Sequence, residues 1–246
     1  MPVSAARAPL DDTLTMIDLH GFGAQLAAGT ALTVELALAS AAFGLLVGLG
    51  MAALKLSKSC GARIIADTYS TIFRGVPELI IVLIVYFGAS IVLTSIAEAF
   101  GGEEPIELHP FIAGTLALGL AFGAYASEVF RGALQAVPPG QVEAARAYGM
   151  SRWLAFRRVV LPQVWRFALP GLGNIFLVLL KDTSLVSVIG LEEIMRKTAI
   201  AVGFTKEPFT FYLAAAVIYL LMTIVSMIGL QLLERHASRG VRSATT

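Results

Sequence analysis

The chain has 246 residues, 57% of them hydrophobic and only 14% charged, with a mean hydropathy of +0.79. A soluble domain carries about 25% charged residues, so this chain lacks the charge to cover a water-facing surface and reads as an integral membrane protein. The formal net charge of +1 is uninformative beside its distribution; the single Cys60 excludes an internal disulfide and a thiolate cluster, and His20, His109 and His236 lie too far apart for metal-ligand spacing.

The residues before Leu26 include Asp11, Asp12 and Asp18 and no continuous apolar core. That pattern is not a cleavable signal peptide, so the first apolar segment is expected to stay as a signal anchor. A bilayer core takes about 20 apolar residues as helix. Five segments fit approximately: 28–54, 70–95, 110–134, 165–189 and 209–233. A spanning backbone must satisfy its own hydrogen bonds, and strand-like alternation is absent, so helices are expected throughout. Gly44, Gly48 and Gly50 in the first span, and Gly114, Gly119 and Gly123 in the third, are expected to let helices approach closely.

Lys and Arg in the loops set the orientation. Lys55, Lys58, Arg63 and Arg74, the six arginines from Arg131 to Arg166, and Arg235, Arg239 and Arg242 place 13 of the 18 cations on one side. The other side has Arg7, Arg196, Lys197 and Lys206, and the loop 96–109 has Glu98, Glu103, Glu104 and Glu107 without a cation. The N-terminus is therefore expected outside and the C-terminus inside. No long linker or internal repeat divides the chain, so 1–246 is expected to be a single transmembrane domain.

Val137-Pro138-Pro139-Gly140 ends the third span, because proline cannot continue a helix. Two short helices are expected in the basic segment 137–162: Gln141 to Ala147, broken by Gly149, and Arg152 to Val160, ending at Leu161-Pro162. The residues run Glu143-Ala144-Ala145, three residues, Gly149, nine residues, Val159, one residue, Leu161-Pro162. This pattern resembles the EAA loop of ABC-transporter permease subunits, with Val159 where isoleucine is commonest. Phe73-Arg74-Gly75-Val76-Pro77-Glu78-Leu79, Ala124-Tyr125, Glu128-Val129-Phe130-Arg131-Gly132, Leu180-Lys181-Asp182-Thr183-Ser184-Leu185 and Glu207-Pro208-Phe209 extend the likeness. They resemble the polar amino acid permease family, above all its histidine, lysine-arginine-ornithine and opine branch, over about residues 25–240.

The resemblance implies an all-α integral membrane protein of the MetI-like ABC importer permease fold. It implies five transmembrane helices with a cytoplasmic coupling helix. It also implies that Glu143, Ala144, Ala145 and Gly149 seat in a cleft of a partner ATPase, flanked by Arg146, Arg152 and Arg157. Small alanines there would allow close approach, and Glu143 could pair with a cation. The chain has no G-x-x-x-x-G-K-[ST] phosphate loop, so it is not itself an ATPase. ATP and Mg would belong to the partner, and the chain would hold no cofactor. The implied partners are a second permease chain, homologous or identical, two cytoplasmic ATPase subunits and an extracytoplasmic binding protein. Membrane lipid surrounds it and no nucleic acid is involved. The implied location is the bacterial inner membrane, and alternating access would be rocking of packed bundles.

Charges within spans carry the substrate question. Asp182 and Thr183, with Lys181 and Ser184, are expected on a path suited to a cationic amino acid or opine; alternatively Lys181 and Asp182 pair with neighbouring helices or snorkel outward. Glu78 either favours a cationic substrate or pairs with Arg74 four residues earlier. Glu35 is a further candidate, Glu128 and Arg131 are expected to form a structural pair, and Arg74 is expected at the headgroups where the second span starts. Trp153 and Trp165 are expected in an interfacial belt. The function implied is import of arginine, lysine, histidine, ornithine or opines. Import of glutamine or glutamate is the alternative within the class, and a self-sufficient secondary transporter the alternative outside it. A secondary transporter would leave the coupling loop unexplained, and an intramembrane enzyme would need paired acids or an H-E-x-x-H motif that the sequence lacks.

Overall fold

The computed structural model describes residues 19–102 and 104–238, and its regular structure there is entirely helical. Expectations that rest on Arg7, Asp11, Asp12, Asp18, Glu103, Arg239 and Arg242 lie outside the described residues. Five helical stretches are long and apolar enough to cross a membrane: Gly23–Lys55, Glu78–Ala99, Pro110–Gln135, Arg152–Ile189 and Pro208–Ala237. The expected number of spans is thus recovered, with two changes of boundary.

The first change is in span two. The sequence pattern suggests one segment over 70–95, but the chain forms two helices, α2 (Cys60–Gly75) and α3 (Glu78–Ala99), joined through Val76 and Pro77. Val76 is extended (φ −101°, ψ 134°), as a residue preceding proline prefers, and Pro77 has no N–H to continue the ladder. The segment read as loop 55–69 is therefore mostly helix, begun by Ser59, whose hydroxyl accepts the Ala62 N–H. Arg74 stands in the last turn of α2 rather than at the start of a span.

The second change is in the basic loop. Helix α5 (Pro139–Ala147) ends as expected, but the second helix does not stop at Leu161-Pro162. Helix α6 (Arg152–Ala155) widens into a π turn over Phe156–Val160 and runs on into α7 (Leu161–Asp182). Pro162 cannot donate to the Arg158 carbonyl, and the Leu161 N–H reaches back five residues to Phe156. The proline widens the turn without ending the helix.

Helices α1 (Gly23–Lys55) and α4 (Pro110–Gln135) form the centre of the packing. A Cβ on Gly44 would lie 2.6 Å from the Gly119 carbonyl, and one on Gly48 would lie 2.8 Å from Ala126 Cβ. Without those methyls the two backbones meet directly, which is how small residues drive helix association in lipid. Gly50 is a correction: a Cβ there would meet nothing within 4 Å, so it takes no part in the contact. After α7, a 3₁₀ turn (Thr183–Ile189) closes at Gly190 (φ +94°), and α8 (Ile194–Thr205) and α9 (Pro208–Ala237) follow. The core residues Leu36, Ala113, Ala117, Leu118, Val82 and Val186 are fully buried between α1, α3, α4 and the 3₁₀ turn. Most of α3 and α9 faces outward.

Candidate functional site

A cavity of about 240 Å³ lies between α3, α4 and α7. Its walls are Leu118, Ala121, Phe122 and Tyr125 from α4, Ile175, Val178, Leu179 and Asp182 from α7, and Glu78 from the first turn of α3. Two carboxylates 104 positions apart thus share one otherwise apolar and aromatic chamber. The Pro77 break is what brings Glu78 here: it starts a new helix, so Glu78 occupies the first turn and is not held in the α2 register. The expected Arg74–Glu78 pair does not form. Arg74 Nη1 lies 3.5 Å from Glu128 Oε1, and its guanidinium sits 5.5 Å from the centre of the Tyr125 ring.

Of the other expected path residues, Lys181 is exposed and its neighbour Asp182 alone faces the cavity. Thr183 is buried and donates to the Leu180 carbonyl at 2.8 Å; Ser184 donates to the Lys181 carbonyl at 2.7 Å. Both hydroxyls are committed to the 3₁₀ turn. Glu35 lines a separate, wider cavity with His109 and Glu192.

Beside the cavity, Glu128 is bracketed by cations. Its Oε1 accepts from Lys55 Nζ at 2.6 Å and its Oε2 from Arg131 Nε at 2.8 Å. The Glu128–Arg131 pair was expected; the Lys55 ammonium, buried to 3% exposure and also 3.6 Å from Asp67, was not. Nothing in local sequence links Lys55 to Glu128, because the contact depends on the α1–α4 crossing.

The basic loop presents a second surface. Glu143, Ala144, Arg146, Gly149, Arg152 and Arg157 are exposed, while Ala145 is buried against the body of the protein. Gly149 has φ +81° and open space beside it, so it serves backbone conformation and not close packing. Its N–H bonds the Arg146 carbonyl at 2.9 Å and the Met150 N–H bonds that of Ala145 at 3.1 Å, a Schellman ending for α5. Gln163 of α7 ties the loop down, donating to Gln141 at 2.6 Å and to the Val159 carbonyl at 2.7 Å. Tyr148 and Trp153, 88% and 69% exposed, stand in the same surface, with Trp153 stacked on Phe156 at 5.9 Å. Tyr148 was not singled out in the sequence, although a large aromatic beside the breaking glycine is a usable signal.

The model of the binding-protein-dependent transport system inner membrane components matches residues 44–239. The chain belongs to this family. It is 50% identical over 235 residues to the nopaline transport system permease protein NocQ of Agrobacterium fabrum, covering 95% of this chain and 100% of that one. It is 43% identical to the histidine/lysine/arginine/ornithine transport system permease protein HisQ of Escherichia coli, covering 92% and 99%. Among solved structures, an amino acid ABC transporter crystallised with histidines superposes with a TM-score of 0.75 at 32% identity, covering 94% of this chain and 100% of that one. As a member of this family the chain is a transport subunit, and it lacks the phosphate loop that ATP hydrolysis would need.

Proposed function

We propose that this chain, as a single transmembrane domain, is the permease subunit of an ATP-driven importer that carries cationic amino acids or opines across the bacterial inner membrane. The observation that carries the substrate reading is the sharing of one apolar cavity by Glu78 and Asp182. In a largely apolar chamber two nearby, half-buried carboxylates repel each other and each is partly stripped of water. A substrate bearing a guanidinium or ammonium group relieves both costs, and the Phe122 and Tyr125 rings complement it. A neutral or acidic substrate relieves neither. Relatives named for nopaline and for histidine, lysine, arginine and ornithine support the same class.

The basic loop is the coupling surface in this reading. Glu143, Ala144, Arg146, Gly149, Arg152 and Arg157 face a cytoplasmic ATPase, which holds the ATP and Mg; Ala145 anchors the helix from behind. The N-terminus lies outside, the C-terminus inside. A second permease chain, two ATPase subunits and an extracytoplasmic binding protein complete the importer. Lys181, Thr183 and Ser184 shape the turn that aims Asp182.

Uptake of labelled arginine, lysine, histidine, glutamine and octopine tests the proposal in cells expressing the full importer, beside Glu78→Gln and Asp182→Asn variants. Each variant is expected to lower uptake of the cationic substrates about 10- to 100-fold, the worth of one charged hydrogen bond. Transport of glutamine in preference to arginine, unchanged in both variants, would sink the cationic assignment.

A further inference from the structure

The exposed positions of α9 from Leu213 to Ile228 are all apolar, as contact with lipid tails requires. The pattern breaks where α9 lies against α7. A cleft of about 190 Å³ opens there, with Pro170, Gly173 and Asn174 of α7 on one side and Leu230, Gln231 and Glu234 of α9 on the other. The helices are close at its floor: a Cβ on Gly173 would lie 3.0 Å from Leu230 Cδ1. Asn174, Gln231 and Glu234 thus bring three polar side chains to one opening. None of the three has a side-chain hydrogen bond or ion pair among the described residues.

Charged groups elsewhere in the bundle are settled inside the chain. Lys55 meets Glu128 at 2.6 Å. Glu193, fully buried at the start of α8, accepts the Arg196 N–H at 3.0 Å and the Tyr219 hydroxyl at 3.1 Å, with Thr33 Oγ1 3.4 Å away. Asn174 is different: it is exposed, it is unpaired, and it lies within the fourth span. Hydrocarbon offers an amide no partner, and the asparagine side chain is too short to reach the interface as lysine does. Pro170, one turn earlier on the same face, has no N–H to give the Arg166 carbonyl.

Polar side chains in a span face the bundle interior, a wet path or another helix. The bundle interior is excluded by exposure. The chamber of Glu78 and Asp182 is faced by Ile175, Val178 and Leu179 of α7, and Asn174 is not among its walls. Another helix remains. An amide donates and accepts at once. Two related chains set about an axis along the membrane normal bring equal depths together, so Asn174 meets the matching depth of the other chain. The cleft holds a carboxylate and no cation, so it suits a span that brings a basic, hydroxyl or amide donor toward Glu234.

We infer that the α7–α9 cleft is the face on which the second permease chain packs, with Asn174 making an interhelical hydrogen bond to that chain and Glu234 accepting from one of its donors. The inference rests on the two-permease importer proposed above and adds which surface of this chain the second one covers.

The test places a diazirine-bearing leucine analogue at position 174 in the whole importer in lipid nanodiscs, and at Leu46 of α1, 74% exposed, as the reference for lipid contact. Illumination is expected to join position 174 to the second permease chain, read from the mass of the adduct. Lipid adducts alone at position 174, or quenching by water without an adduct, would overturn the inference. Asn174→Leu gives a second reading that needs no probe. A lipid-facing site gains from an apolar side chain, and the permease pair then holds as well or better. A contact site loses an interhelical hydrogen bond, so the dissociation constant of the pair on dilution with lipid is expected to rise about 3- to 30-fold. An unchanged or lower constant would contradict the assignment. Two permease chains per importer with lipid alone at position 174 would remove this face and leave the importer reading intact, whereas one permease chain per importer would overturn both.

Discussion

The guanidinium of Arg74 lies 5.5 Å from the centre of the Tyr125 ring, and the same Tyr125 lines the cavity that holds Glu78 and Asp182. The residue expected to neutralise Glu78 instead covers an aromatic wall of the chamber and pairs with Glu128 on the far side. Glu78 is thereby left to the cavity. Since Arg74 is 44% exposed, its pair and ring contact together contribute about 0.5–1 kcal/mol. Arg74→Met is expected to cost little in thermal stability of the complex while changing KM for cationic substrates, a split that melting and uptake measured together will show.

Lys55 should behave differently. Its ammonium is buried and 2.6 Å from Glu128, so Lys55→Met removes a charged hydrogen bond from a desolvated pair. Arg131 still holds the other oxygen of Glu128, which limits the loss to about 1.5–3 kcal/mol. The melting temperature of Lys55→Met is expected well below that of Arg74→Met; equal melting would show that burial adds nothing to this network.

Gly44 and Gly50 make an internal control six residues apart on one helix. Gly44→Ala drives a methyl to 2.6 Å from the Gly119 carbonyl, backbone against backbone, and is expected to destabilise by about 1–3 kcal/mol. Gly50→Ala meets open space and is expected to stabilise slightly, by about 0.5–1 kcal/mol, since glycine in a helix interior is unfavourable. Reversal of the order in detergent melting would contradict the α1–α4 packing.

The coupling surface gives a fourth expectation. Gly149→Asp keeps the space but not the conformation: a side chain at φ +81° costs about 1–2 kcal/mol and works against the Schellman ending. Glu143→Lys changes an exposed charge and no packing. Both variants are expected to insert normally yet fail to copurify with the ATPase. Normal copurification and uptake in both would remove the loop from the ATPase interface.

Much of this was legible beforehand, and for a physical reason. Spans report themselves through continuous apolar length, because lipid demands it locally, and the basic loop reports itself through proline, glycine and charge at fixed offsets. The helix boundaries that differ from expectation lie at prolines. Pro77 split an apparent span and Pro162 failed to end a helix, since the same missing N–H is absorbed by a break in one context and by a π turn in the other. Lys55 with Glu128, and Glu193 with Thr33 and Tyr219, carry no local signal because the partners are 73, 160 and 26 residues apart.

The sequence by itself determined that the chain has five segments long and apolar enough to cross a membrane, that its basic loop carries a short glycine-ended helix, and that it has no G-x-x-x-x-G-K-[ST] phosphate loop. Composition, periodicity and motif spacing are properties of neighbouring residues, and they suffice for that. Only the tertiary structure decided which buried charges meet. Glu78 faces Asp182 across one cavity, and Arg74 turns away to Glu128. Glu193 is sealed among neutral donors. In a low-dielectric interior the cost of a charge depends on what packs beside it, and that is fixed by helix crossings such as Gly44 on Gly119, which no single segment encodes.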